Sequence, residues 1–305
     1  MSPKFWGHTA LFAANLIFGI NNPIASVLMP EVIDPFALIF FRFAGGMVLF
    51  WLASLFVKSE KVTKADKFQL FLASIFALTL NQIPFFYGLS VTSPIDASIV
   101  VTMLPIATMV LAAVFLKEPI TQMKVTGVLV GAAGALLIVF NSAGHASGNG
   151  NMTGSLIVFL AVVSFGIYLT VFKKLISRYH AVTVMKWMFL WGTLTGLPFC
   201  YQSLTTLQVD LFTVENWLSI GYVIVFSTFI GYLLLPVGQK SLRPTTLSMY
   251  NYMQPVVASI VAISAGIDTF GYQQALAGLL VFAGVYIVTQ SKSRAQLEAE
   301  RSARL

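Results

Sequence analysis

Residues 99–116 read IVVTMLPIATMVLAAVFL, eighteen positions without a charge. A membrane β-strand would alternate in polarity over about 10 residues, and this run does not alternate. A bilayer-spanning helix needs about 20 mostly apolar residues. Runs of that kind recur along the chain, near residues 8–28, 36–57, 68–88, 95–116, 123–140, 153–173, 183–202, 215–236, 244–265 and 271–290. The reading is an all-α integral membrane protein of ten transmembrane helices, with no room left for a soluble domain. Composition agrees: the 305 residues are 57% hydrophobic and 10% charged, with mean hydropathy +0.84, whereas a soluble domain carries about a quarter charged residues.

The charges test this count independently, because the placement of Lys and Arg orients membrane helices. With the amino terminus inside, seventeen of the eighteen basic residues fall in inner segments. The outer segments hold none, although they hold Glu31, Asp34, Asp96, Asp210, Glu215 and Asp268. One missed or extra span would scramble that separation. The sequence therefore predicts a multi-pass protein of the inner (plasma) membrane with both termini cytoplasmic. The formal charge of +7 is a topology signal that calls for no nucleic acid. Lys4 and the apolar run 9–20 lack a small-x-small cleavage site, so the first span is expected to stay. The lone Cys200 allows no intrachain disulfide and is expected to be a buried thiol; no metal-ligand cluster and no cofactor are expected.

The run 99–116 lies within a sequence that repeats. Sliding it by 150 positions carries Gly88, Pro94, Ser98, Met103, Pro105, Ala112 and Gly134 onto Gly238, Pro244, Ser248, Met253, Pro255, Ala262 and Gly284. At an offset of 147, Phe18-Gly19-Ile20 meets Phe165-Gly166-Ile167. Each half holds five spans, an odd number, so the second half enters from the opposite side. This predicts two inverted five-helix repeats, at 1–140 and 153–290, joined by an outer Gly/Ser/Asn linker at 141–152 and followed by a solvated tail at 291–305. Inverted halves offer a physical route to alternating access around a midplane site.

The first span contains FGINNPIASVL, residues 18–28, where two amides and a proline interrupt an apolar run. Pro23 removes a backbone donor and displaces the carbonyl near Gly19, and polar groups at that depth need a partner or a hydrated cavity. Adjacent residues point about 100° apart. Asn22 is taken as cavity-lining and Asn21 as bonding a neighbouring helix.

The pattern Phe18, Gly19, Asn22, the FFRF of residues 40–43 and MLPIATMVLAAVFLKEPIT of residues 103–121 resemble the drug/metabolite transporter superfamily in its EamA-type ten-helix form. Lys117-Glu118 stands where such proteins often carry Gly-Glu. The resemblance covers about residues 8–290. It implies movement of a small-molecule solute, often export of amino acids or other metabolites, through a cavity between the halves walled by spans 1, 3, 4, 6, 8 and 9.

Arg42 is the one basic side chain left within a span. Burying it at mid-helix costs about 2.5–3.5 kcal/mol on insertion scales, so it is read either as a structural Arg or as a dock for an anionic group of the solute. Polar side chains recur in span 3 (Asn81, Gln82, Tyr87), span 4 (Ser98, Thr102), span 8 (Ser227, Thr228, Tyr232) and span 9 (Ser248, Tyr250, Asn251, Tyr252, Gln254). Ser98, Thr102 and Pro105 share one helix face, as do their repeat partners Ser248, Tyr252 and Pro255. The candidate lining is thus Asn22, Arg42, Asn81, Tyr87, Ser98, Thr102, Tyr232, Ser248 and Tyr252, to which the resemblance adds Tyr168. Spans 5 and 10 carry Gly127, Gly131, Gly134, Gly278 and Gly284 and are read as packing helices, within the bundle or in a homodimer.

No Asp or Glu lies deep in a span, which argues against proton exchange at a buried carboxylate. No phosphate-binding GxxxxGK[ST] motif is present. A transporter that is not an enzyme is the reading. The alternatives are an intramembrane lipid- or prenyl-modifying enzyme, for which no acidic pair or base-nucleophile pair is seen in the spans, and a non-transporting membrane sensor.

Overall fold

The structure is a computed structural model that describes residues 2–29, 31–92, 94–142, 152–264 and 272–292, with Gln296 and Ser302. Residues 143–151 of the linker assigned to 141–152, Asp268 and most of the assigned tail lie outside the described residues. Among the described residues, and apart from the short turns Lys173–Ile176 and Val209–Leu211, ten helical rods follow one another: α1 (Pro3–Leu28), α2 (Pro35–Ala53), α3 (Lys64–Val91), α4 (Pro94–Val101 and Leu104–Leu116), α5 (Gln122–Ser142), α6 (Met152–Val171), α7 (Ala181–Thr205), α8 (Val214–Ser241), α9 (Pro244–Met249, a 3-10 turn Tyr250–Tyr252, then Met253–Ser264) and α10 (Tyr272–Gln290). They correspond one to one with the ten spans. Five described stretches, Pro35–Ala53, Lys64–Val91, Ala97–Leu116, Met152–Val171 and Val214–Ser241, are long and apolar enough to cross a membrane by length and composition. The protein is a multi-pass helical membrane protein.

Local sequence sets the rod ends. Asp34 caps α2 by accepting from Phe36 N–H, with Pro35 at the first helical position. Thr63 caps α3 through Asp66 N–H, and its repeat partner Thr213 caps α8 through Asn216 N–H. Lys117 ends α4 in the left-handed conformation, φ 53° and ψ 35°, the place where the resemblance prefers glycine. Both repeats contain a π-helical stretch, Ile75–Thr79 in α3 and Val223–Ile230 in α8.

Packing obeys the repeat. α1 lies on α8 and α9 as α6 lies on α3 and α4, while α2 pairs with α7, α5 with α10 and α4 with α9 across a pseudo-twofold axis. Gly88 sits against Val158 and the Gly154 carbonyl, and its partner Gly238 against Leu11. Gly127 and Gly134 of α5 face α10 within the chain and Gly131 faces Tyr252 and Met249 of α9, while a Cβ on Gly284 of α10 would lie 2.5 Å from Gly131 N and 2.6 Å from Gly127 O. In lipid, where the hydrophobic effect does not bring helices together, such backbone approach provides the packing. Cys200 is buried, as expected.

At the lysine-rich end, side chains tie the rods together. Lys124, 1% exposed, bonds Glu118 at 2.8 Å; Lys173 donates to the Leu242 carbonyl, and Arg243 donates to the Ser291 carbonyl and hydroxyl. The acidic end is closed by an apolar cluster of Leu28, Ile33, Ala37, Leu38, Ile220 and Val223.

Candidate functional site

The pseudo-twofold axis runs through pairs of repeat partners that touch each other. Gln82 Nε2 donates to Tyr232 OH at 2.9 Å, Tyr252 OH donates to the Thr102 carbonyl at 2.8 Å, and the rings of Phe43 and Phe189 meet edge-on at 6.5 Å. The first two pairs are separated by 150 positions and the third by 146.

Arg42 stands beside this axis. Its Nε donates to Thr228 Oγ1 at 3.2 Å and its Nη1 to Gln82 Oε1 at 3.0 Å. The π-helical stretch of α8 places Thr228, whose hydroxyl donates to the Val223 carbonyl five residues back. Gln82 follows the π-helical stretch of α3 by three residues. The Tyr232 ring is flanked edge-on by Phe18 at 5.9 Å and Phe189 at 5.3 Å. The result is a guanidinium held by two neutral oxygens beside a tyrosine in an aromatic wall. No carboxylate pairs with Arg42 among the described residues. The repeat partner of Arg42 at offset 146 is Met188, so the charge is found in one half alone.

The other candidates separate by location. Asn81, next to Gln82, turns away from the axis and donates to the Ala161 carbonyl of α6 at 3.0 Å, a helix-helix bond. Tyr87 is 50% exposed. Ser98 is half-buried at the start of α4. Thr102 and Ser248 are buried, and their hydroxyls donate to the Ile99 and Thr245 carbonyls of their own helices. Tyr168 is buried, stacked on Phe165 at 5.6 Å, with no hydrogen-bond partner for its hydroxyl. The Asn22 side chain lies outside the described residues. Asn21, expected to bond a neighbouring helix, has its Oδ1 buried without a partner. α1 continues unbroken through Pro23; Gly19 lets it close on Val257 and the Gln254 carbonyl of α9, and that packing supports the turn the proline would open.

Sequence reasoning did not single out two parts of the polar interior. Asn15 is buried in α1, donates to the Leu11 carbonyl and accepts from Gln254 of α9 at 2.9 Å. Gln239 is buried in α8 and donates to the Tyr168 and Leu169 carbonyls. Gln82 belongs to the polar stripe of span 3, and its separation from Tyr232 by the repeat length is the signal that marks it.

Two cavities open among the described residues away from the Arg42 cluster. One, of about 320 Å³, opens at the acidic end between Glu31, Val32 and Asp34 on one side and Ser203, Gln208 and Asn216 on the other. The second is an apolar groove on the flank of α4 and α6, between Met103, Ile106, Val110 and Phe159.

The profile of the EamA-like transporter family matches residues 5–140 and again residues 152–290. A protein of Archaeoglobus fulgidus described as an uncharacterized transporter is 26% identical over 260 residues, 85% of this chain and 90% of that protein. The uncharacterized transporter YetK of Bacillus subtilis is 23% identical over 290 residues, 94% of this chain and 88% of its own length. A crystal structure of 18% sequence identity superposes with a TM-score of 0.78 over 94% of this chain and 98% of the other, a likeness of fold.

Proposed function

The chain belongs to the EamA-like transporter family, and on that premise we propose that it carries a small anionic or zwitterionic metabolite, an amino acid or a relative, across the plasma membrane by alternating access. The observation that carries this reading is Arg42, a guanidinium inside the bundle whose hydrogen-bond partners among the described residues, Gln82 and Thr228, are neutral. A buried cation of that kind favours a carboxylate, which forms charge-assisted and often bidentate bonds with guanidinium. Tyr232, Phe18 and Phe189 supply an apolar, partly aromatic wall beside it, suited to a solute with a hydrocarbon or ring body. The lysine-rich end faces the cytoplasm under the positive-inside rule, which sets both termini there, and export is the direction the family resemblance implies.

In this reading Arg42 docks the anionic group, Gln82 and Thr228 orient the guanidinium, and Tyr232 offers its hydroxyl to the solute once the halves part and its bond to Gln82 opens. Thr102, Tyr168, Ser248 and Tyr252 extend the wall along the axis, Tyr87 and Ser98 lie at its edge, and Asn81 braces it from behind through its bond to the Ala161 carbonyl; Asn22 is assigned to the lining from the sequence pattern alone. The test is counterflow of labelled amino and organic acids in proteoliposomes. Flux of an anionic or zwitterionic solute that Arg42→Ala abolishes at unchanged protein content supports the reading. Flux undiminished in that variant, or protein content falling in step with activity, removes the docking role.

A further inference from the structure

At the lysine-rich end the segment entering α3 is bonded to the segment that leaves α6. Arg178 Nη1 donates to Asp66 Oδ1 at 3.1 Å and Tyr179 OH to Asp66 Oδ2 at 2.6 Å, so both carboxylate oxygens are engaged. Next to them His180 N–H donates to Glu60 at 2.8 Å. Glu60 and Asp66 belong to the first repeat, and Arg178, Tyr179 and His180 to the second. The Tyr179 phenol, donating to Asp66, is held above the usual tyrosine range by that bond.

The repeat locates the same joint at the acidic end. The 150-residue offset carries Asp66 onto Asn216, and the offsets of 147 and 146 that align α1 with α6 and α2 with α7 carry Arg178 onto Glu31 or Val32 and Tyr179 onto Val32 or Ile33. Asn216, Glu31 and Val32 line the cavity of about 320 Å³, and no hydrogen bond or ion pair joins them among the described residues. Below it the end is closed by apolar contact among Leu28, Ile33, Ile220 and Val223. One joint of the fold is thus bonded at one end of the molecule and unbonded at the other, and an alternating-access cycle has to exchange two such conditions.

We infer that Asp66, Arg178 and Tyr179 form a latch that holds the lysine-rich end shut and so biases the direction in which the centre opens. The inference rests on the transporter reading and goes beyond it by naming the contacts that separate its two states. Half-exposed ion pairs contribute little to overall stability, yet a small differential free energy suffices to redistribute two closely balanced conformations.

The experiment reads conformation and needs no solute. In a Cys200→Ala background, spin labels at positions 64 and 177 report the lysine-rich end and labels at 27 and 208 the acidic end; Lys64, Ser177, Val27 and Gln208 are all exposed. Double electron-electron resonance in nanodiscs measures both pairs. Asp66→Asn is expected to raise the longer-distance population at 64/177 roughly fivefold while the 27/208 distance shortens, and Tyr179→Phe to do the same to a smaller extent. Glu31→Arg with Asn216→Asp builds the equivalent pair at the acidic end, and is expected to shorten 27/208 and lengthen 64/177 without touching the natural latch. Distances unchanged in all three variants overturn the inference. So does lengthening at 64/177 with 27/208 fixed, which is local fraying. Failure of Arg42→Ala to alter flux would refute the docking site while leaving these distances as they are, so the two readings fail separately.

Discussion

The site depends at the residue scale on which of two neighbours faces inward. Asn81 and Gln82 are adjacent amides in α3, yet Asn81 is spent on the Ala161 carbonyl while Gln82 holds both Arg42 and Tyr232. Truncating a group that pairs with a buried charge costs at least about thirtyfold in affinity, so Arg42→Ala should raise the half-saturating concentration of an anionic solute by that factor or abolish flux, measured in proteoliposomes. Tyr168 offers the opposite case. Its hydroxyl is buried and unpartnered, a condition that costs about 1–3 kcal/mol, so Tyr168→Phe should leave the thermal midpoint unchanged or raise it. If the same variant weakens solute binding in a thermal-shift titration, the hydroxyl serves the solute. Arg42 was legible in the sequence because one cation in ten apolar runs has no ordinary explanation. Gln82 against Asn81 was not, because the register of a rod about its own axis is fixed by packing against neighbours that the local sequence does not name. Asn15 was hidden for a related reason: a lone amide in an apolar run carries no mark of the Gln254 that meets it 239 residues later.

The elements were easier to read than their side-chain contacts. Ten rods follow from ten apolar runs, and Thr63 and Thr213 show that even the caps repeat. The π-helical stretches of α3 and α8 left no pattern in the sequence, since π geometry arises where the helix accommodates one residue more than an α-helical turn. The small residues of α5 and α10 allowed packing either within the chain or between chains, and the close approach of Gly284 to Gly127 and Gly131 occurs within it. A side chain at 284 would meet backbone, which cannot yield. Overpacking of this kind costs about 1–3 kcal/mol or more, and Gly284→Leu should lower membrane abundance several-fold, as read by quantitative immunoblot. Gly221→Ala is the matched control: nothing lies within 4 Å of its added Cβ, and replacing an interior helix glycine favours the helix by about 0.5–1 kcal/mol, so abundance should hold or rise.

At the scale of the molecule, the charge asymmetry makes its own prediction. With cysteine at positions 4 and 292 of a Cys200→Ala chain, a membrane-impermeant maleimide should label both only when it has access to the cytoplasmic face; labelling of one from each face would disprove the ten-span topology. The inverted architecture was legible because proline and glycine recur at one spacing. The outcome of pairing the halves was not, because partners such as Gln82 and Tyr232 meet across an axis that exists only after folding. That axis carries a historical consequence. Were the two five-helix units separate identical chains, position 42 would place a guanidinium in each half, one on either side of the axis. Covalent fusion lets Met188 stand where a second Arg would otherwise be, so a solitary positive charge at the centre is a property that a symmetric ancestor could not have possessed.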